Sequence, residues 1–169
     1  MTSEESNTTA ITLRTPVKDD GFRLHQLVAE CPPLDANSIY CNLLQCSHFA
    51  DTGVAAEKDG DLVGFISGHI PPKKPETVFV WQVAVHEKGR GQGVAKRMLK
   101  EIVARDACKN VTHMETTITA DNEASWALFR SFARDMGAEI VHHEHFKKDT
   151  HFGGLHDSEF LLRIGPFAK

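Results

Sequence analysis

An α/β (α+β) fold built around a mixed β-sheet is what this 169-residue sequence predicts. Helical and strand periodicities alternate along the chain, as they do when helices cover a sheet. Residues 78–85 form a nearly unbroken apolar strand, and a glycine-rich turn carries it straight into an amphipathic helix. A hydrophobic content of 41% over this length supports one core.

Residues 1–10 are polar and read as a disordered tail, leaving residues 11–166 as a single domain. Residues 11–14 form the first strand. Phe22, Leu24, Leu27 and Val28 keep a helical period until Pro32-Pro33 stops it. Asp35 or Asn37 would cap a second helix, with Ile39, Tyr40, Leu43 and Leu44 on its apolar side. Residues 54–58 and 62–66 read as strands joined through Asp59-Gly60, a hairpin signal. The strand at 78–85 is nearly all apolar, so both of its faces are expected to be covered. The next helix has an inner stripe of Val94, Met98, Leu99, Ile102 and Val103. Residues 112–119 form a strand, and a helix follows from about Glu123 to Met136, capped by Asp121 or Asn122 and ended by Gly137. Strands at 140–146 and 158–164 close the domain around a polar loop.

Nineteen basic against 23 acidic residues give a net charge of −4, which excludes a generally basic nucleic-acid binder. No apolar run reaches the roughly 20 residues of a membrane span. The first ten residues lack the basic end and apolar stretch of a secretion signal, so a cytoplasmic location is expected. Cys31, Cys41, Cys46 and Cys108 form no CxxC pair and are expected to be reduced. Histidines gather at His142, His143, His145, His151 and His156, but without HExxH or another ligand spacing, and no metal is expected.

The turn after the apolar strand carries the chemistry. Glycines bring backbone N–H groups close to a ligand, and a helix N-terminus adds partial positive charge, so the segment suits a phosphate or pyrophosphate. It supplies neither GxxxxGK[ST] nor GxGxxG. Arg90-Gly91-Gln92-Gly93-Val94-Ala95 instead matches [RQ]xxGx[GA], and on this motif the sequence resembles the GNAT superfamily of N-acetyltransferases. The resemblance implies a largely antiparallel, twisted sheet with splayed middle strands, flanked by helices, and acetyl-CoA as co-substrate. It places the pyrophosphate at Arg90 through Ala95 (Gly91, Gln92, Gly93 and Val94 between them), the pantetheine on the backbone of Val83 and Val85, and Asn122 and Ser125 beside its arm. Where the family often has a tyrosine as general acid, this chain has Phe129, which cannot donate a proton. The thiolate then leaves without direct protonation, or Tyr40, a water or another group assists it.

Segments 31–46, 79–85 and 115–119 resemble, more narrowly, the L-2,4-diaminobutyrate acetyltransferases of ectoine biosynthesis, over about residues 11–165. That resemblance implies acetylation of the 4-amino group of L-2,4-diaminobutyrate by direct attack in a ternary complex, and a homodimer. A small diammonium zwitterion needs carboxylates and aromatic walls. Asp35, Asp157 and Glu159 are the expected ammonium partners, and Tyr40 and Trp81 the walls. The attacking amine must lose a proton, for which Glu115 and Glu159 are the candidate bases. An N–H of the 81–85 strand would hold the oxyanion. Two alternatives stand beside this reading: a related acetyltransferase for another small amine, and an acyl-CoA-binding sensor without catalysis, suggested by Phe129.

Overall fold

The computed structural model describes residues 10–168, so residues 1–9 of the expected tail lie outside the described residues. The strands are β1 (Thr12–Arg14), β2 (Val54–Lys58), β3 (Asp61–His69), β4 (Thr77–Val85), β5 (His113–Thr119), β6 (Glu139–Phe146) and β7 (Glu159–Gly165). The α-helices are α1 (Gly21–Ala29), α2 (Ile39–Gln45), α3 (Val94–Ala104) and α4 (Glu123–Asp135). The strands form one sheet in the order β1-β2-β3-β4-β5-β7-β6. Every neighbouring pair is antiparallel except β4 and β5, which run parallel.

Helices cover both faces. The α3 stripe of Val94, Met98, Leu99, Ile102 and Val103 packs with Phe129 and Phe132 of α4 against Val78, Val80, Met114 and Leu162 of the sheet. Leu24, Leu27 and Val28 of α1 cover Ala55, Phe65 and Ala84 on the other face. The β2–β3 hairpin turns through Asp59 and Gly60, both at positive φ.

Helix α2 departs from its sequence pattern. Its apolar residues Ile39, Tyr40 and Leu43 are exposed, while Asn42 and Gln45 are buried. Asn42 hydrogen-bonds His25 Nδ1 of α1 at 3.1 Å and donates to Gln45 Oε1 at 3.0 Å, so the inward side is a polar network joined to α1. Gly21 makes the approach possible, since a Cβ there would stand 2.5 Å from Leu43 Cδ2. The cap is Ser38, whose side chain accepts from Cys41 N–H, rather than Asp35 or Asn37. Of the expected α1 stripe, Phe22 is exposed.

Strand β4 explains both its apolar composition and the opening of the sheet. Its register against β3 jumps from Ser67↔Gln82 to Gly68↔Val80, which leaves Trp81 as the extra residue of a β-bulge. The bulge resets the alternation, so Val83 and Val85 join Val78 and Val80 on the α3–α4 side. Pairing with β5 ends at Val80↔Thr116, where Thr116 Oγ1 donates to the Val80 carbonyl at 3.0 Å. Beyond that point the strands splay. The expectation that both faces of this strand are covered is therefore corrected: Trp81 is 43% exposed, because β5 has left its edge.

Candidate active site

The splay opens a cleft of about 1070 Å³ between β4 and β5. The glycine turn and α4 bound one end, and the 31–35 and 154–159 segments bound the other. His86 N–H donates to the Val63 carbonyl of β3 at 2.8 Å. Backbone groups alternate along a strand, so Val83 and Val85 turn their N–H and C=O groups away from β3, toward the edge β5 has vacated. Arg90 Nε reaches the Val85 carbonyl at 3.3 Å on that edge. Backbone donors and acceptors of Val83 and Val85 thus face the cleft.

The glycine turn follows. Gly91 and Gly93 lie at φ +78 and +65, with nothing within 4 Å of where a Cβ would stand. Only residues tolerant of left-handed backbone fit there, and the space beside the backbone is open. Gly93 is the N-cap of α3 and supplies no side-chain cap, so the first-turn amides keep their donors and partial positive charge for a ligand. Arg90 and Ala95 line the cleft, and Gly91 through Val94 form the turn between them. Asn122 and Ser125 line it from α4, where the Asn122 side chain accepts from Ser125 N–H at 3.2 Å. Phe129 also faces the cleft and is almost fully buried. The segment therefore has the features that acetyl-CoA requires: exposed strand amides, an uncapped helix start and a glycine cradle.

At the other end, Asp35, Trp81, Asp157 and Glu159 all line the cleft. Gln82 Nε2 donates to the Asp35 carbonyl at 3.0 Å and ties that loop to β4. Cys31 and Leu34 pack inward, while Pro32, Pro33 and Asp35 are exposed, so the segment forms a rim of the cleft. Glu159 accepts from the Thr117 hydroxyl at 3.1 Å, and Thr117 lines the cleft beside it.

Two expected site residues lie elsewhere. Glu115 is on β5 but buried outside the cleft walls, held by Lys74 Nζ at 2.9 Å and Arg163 Nη1 at 3.0 Å. With both oxygens engaged by cations, it is a structural carboxylate that bridges the β4–β5–β7 end of the sheet. Tyr40 stands 70% exposed outside the cleft, because the inward side of α2 belongs to Asn42 and Gln45, about half a turn away. Thr117 and Lys148, which the sequence did not single out, and His156, weighed there only as a metal ligand, all stand on the cleft wall. The last two sit in the β6–β7 loop, where no periodicity marks direction.

Burial raises the Cys31 thiol, which lines the cleft, and pushes Cys46 up to about 12, so neither provides thiolate near neutral pH. Cys31, Cys41 and Cys46 are free thiols. The histidines have other partners: His151 Nδ1 accepts from Lys147 N–H at 2.7 Å, and His142 packs edge-on against Trp126. Among the described residues, no group of three or more His, Cys, Asp or Glu side chains could hold a metal ion. No helix among them is long and apolar enough to cross a membrane.

A sheet splayed between β4 and β5, with a glycine turn opening onto α3, defines an acyl-CoA-dependent acetyltransferase fold. The chain belongs to the acetyltransferase (GNAT) family, whose profile matches residues 22–133. Within it, the chain is 52% identical over 157 residues to the L-2,4-diaminobutyric acid acetyltransferase of Methylotuvimicrobium alcaliphilum, covering 93% of this chain and 91% of that protein. The solved diaminobutyrate acetyltransferase of Paenibacillus lautus, in complex with its substrate L-2,4-diaminobutyric acid and coenzyme A, is 40% identical with a TM-score of 0.90. That match covers 95% of this chain and 98% of the other. The ribosomal-protein-S18-alanine N-acetyltransferase of Escherichia coli, at 13% identity and a TM-score of 0.70 over 95% of this chain and 96% of that one, shares the fold.

Proposed function

We propose that this protein transfers acetyl from acetyl-CoA to the 4-amino group of L-2,4-diaminobutyrate, giving the N4-acetyl product used in ectoine biosynthesis. The observation that carries the reading is a single cleft with Arg90 and Ala95 of the glycine turn at one end and three carboxylates, Asp35, Asp157 and Glu159, at the other. High identity to diaminobutyric acid acetyltransferases over nearly the whole chain supports the acceptor.

The residues divide the work. Amides of the turn and of the α3 N-terminus bind the pyrophosphate, and Val83 and Val85 hold the pantetheine through their outward backbone groups. Trp81 and the carboxylates bind the diammonium acceptor. An aliphatic amine with an ordinary pKa of roughly 10 is almost wholly protonated at neutral pH, and only its neutral form attacks a thioester. Glu159 faces the cleft, where it accepts from the Thr117 hydroxyl, and it removes that proton directly or through water. A backbone N–H of the Trp81–Val85 stretch holds the developing oxyanion. The amine attacks directly in a ternary complex, in keeping with the raised Cys31 thiol. With Phe129 beside the cleft, the thiolate leaves to water rather than to a tyrosine.

One acetyltransferase domain over residues 11–166, a cytoplasmic location and a homodimer complete the reading. Strand β6 supports the homodimer, since among the described residues it pairs with β7 alone and is exposed along almost all its length, Val141 at 60%. Such an edge is normally covered by another chain or blunted by charge. A steady-state screen of diamines and diamino acids tests the acceptor. Diaminobutyrate should exceed ornithine in kcat/KM by roughly 10- to 200-fold, the effect of one methylene in a fitted pocket. A preference for ornithine or a polyamine would overturn the acceptor while leaving the acetyltransferase standing.

A further inference from the structure

An amino acid with two ammonium groups carries a carboxylate as well, and the acceptor end of the cleft presents mostly negative charge. Asp35, Asp157 and Glu159 suit the ammonium groups and repel the carboxylate. Among the described cleft-lining residues, the lysine and arginine side chains are Arg90 and Lys148. Arg90 sits where β4 ends and is engaged with the Val85 carbonyl beside the glycine turn. Lys148 stands at the acceptor end, in the loop that joins β6 to β7 and beside Asp157.

The geometry points to Lys148 Nζ as the group that binds the α-carboxylate of the acceptor, and so as the residue that selects a diamino acid over a simple diamine. This inference rests on the acceptor reading above. The backbone at Lys148 is fixed from both sides. Its N–H donates to Ser158 Oγ at 2.9 Å, and its carbonyl accepts from Gly154 N–H at 2.8 Å. Ser158 is itself anchored, since its hydroxyl donates to Glu144 Oε1 at 3.2 Å. The long side chain therefore projects from a set point. Its ammonium lies 3.8 Å from Asp157 Oδ1, both groups more than half exposed, a loose pair that costs little to exchange for a substrate carboxylate. The other polar ring nearby, His156, has Nδ1 occupied with the Asp157 carbonyl at 2.6 Å. With the carboxylate on Lys148, the two amines extend from it toward the three acidic side chains, and the 4-amino group, farthest from the carboxylate, is the one left for the thioester.

The test compares two acceptors on the purified full-length protein. L-2,4-diaminobutyrate and 1,3-diaminopropane separate their amines by the same three carbons and differ by the carboxylate. Each is measured as a substrate or, where turnover is slow, as a competitive inhibitor. Lys148→Met should raise the KM for diaminobutyrate about tenfold or more, the loss of a charge-assisted contact. The same variant should leave the constants for 1,3-diaminopropane and acetyl-CoA within about twofold, and Lys148→Arg should retain most of the affinity for diaminobutyrate. An unchanged KM for diaminobutyrate, or an equal rise for both acceptors, overturns the assignment of Lys148 while wild-type turnover of diaminobutyrate keeps the acceptor reading intact. If the wild-type protein does not acetylate diaminobutyrate, both readings fall.

Discussion

Glu115 is enclosed by an ammonium and a guanidinium, whereas Glu159 accepts one threonine hydroxyl and faces the cleft. The two were equivalent in the sequence, each a lone acid in a strand, and surroundings alone separate them. Glu159→Gln should lower kcat by roughly 100-fold, the usual scale of a lost general base, with acetyl-CoA KM little changed. Glu115→Gln should lower stability by about 3 kcal/mol, because a buried partner of two cations is lost, and should reduce kcat far less. Steady-state kinetics and urea unfolding on the two variants read this contrast, and the reverse pattern would exchange their roles. His69 offers a pH test. It lies among Phe49, Phe79 and Trp81, its Nδ1 is buried with no hydrogen-bond partner among the described residues, and burial lowers its pKa below the ordinary 6.5. Below about 6.5 the unfolded chain gains a proton that the folded chain resists, so stability is present above that value and lost as pH falls through the folded one. The urea midpoint of His69→Phe should therefore fall less than that of the wild type between about pH 7.5 and 5.5. An equal fall would contradict this.

Most elements were legible because periodicity reports burial. The α3 stripe named from the sequence is buried residue for residue, and Asn122 and Gly137 bound α4 as their side-chain and backbone chemistry dictates. Helix α2 was misread in phase because a hydrogen-bonded pair, Asn42 and Gln45, occupies the inward side, and hydropathy cannot see a satisfied polar group. The same error put Tyr40 in the cleft. The bulge at Trp81 was hidden as well: an apolar run looks the same whether the strand is covered on both faces or changes face halfway. The glycine turn was legible because its residue types have few other uses. Gly93→Val would force a β-branched residue to φ +65 and place methyl groups in the open space over the turn. Acetyl-CoA KM should rise about tenfold or more, with a smaller change in acceptor KM, as read by initial rates and a folding check by circular dichroism. Unchanged acetyl-CoA affinity in the folded variant would remove the turn from the site.

The sheet as a whole divides the two substrates. Antiparallel pairing holds β1–β4 on one side and β5–β7 on the other, and the one parallel pair between them lasts only from Thr77 to Val80, so the cleft is the place where the ladder stops. Fold class and the acetyl-CoA end could be read from the order of elements and the glycine motif. The acceptor end could not be read completely, since Thr117 of β5 meets Lys148 and His156 of the β6–β7 loop, where no periodicity marks direction. The exposed β6 edge makes the assembly testable. Sedimentation equilibrium should give about twice the 18.8 kDa chain mass, and Val141→Glu should shift it toward the monomer. A wild-type monomer at micromolar concentration would contradict the homodimer. The position of the acetyl group bears on every part of the proposed chemistry at once. The product of the purified protein with acetyl-CoA and L-2,4-diaminobutyrate, examined by two-dimensional NMR, should couple the new amide proton to the C4 methylene; coupling to the C2 methine, or no product at all, would contradict the proposed function.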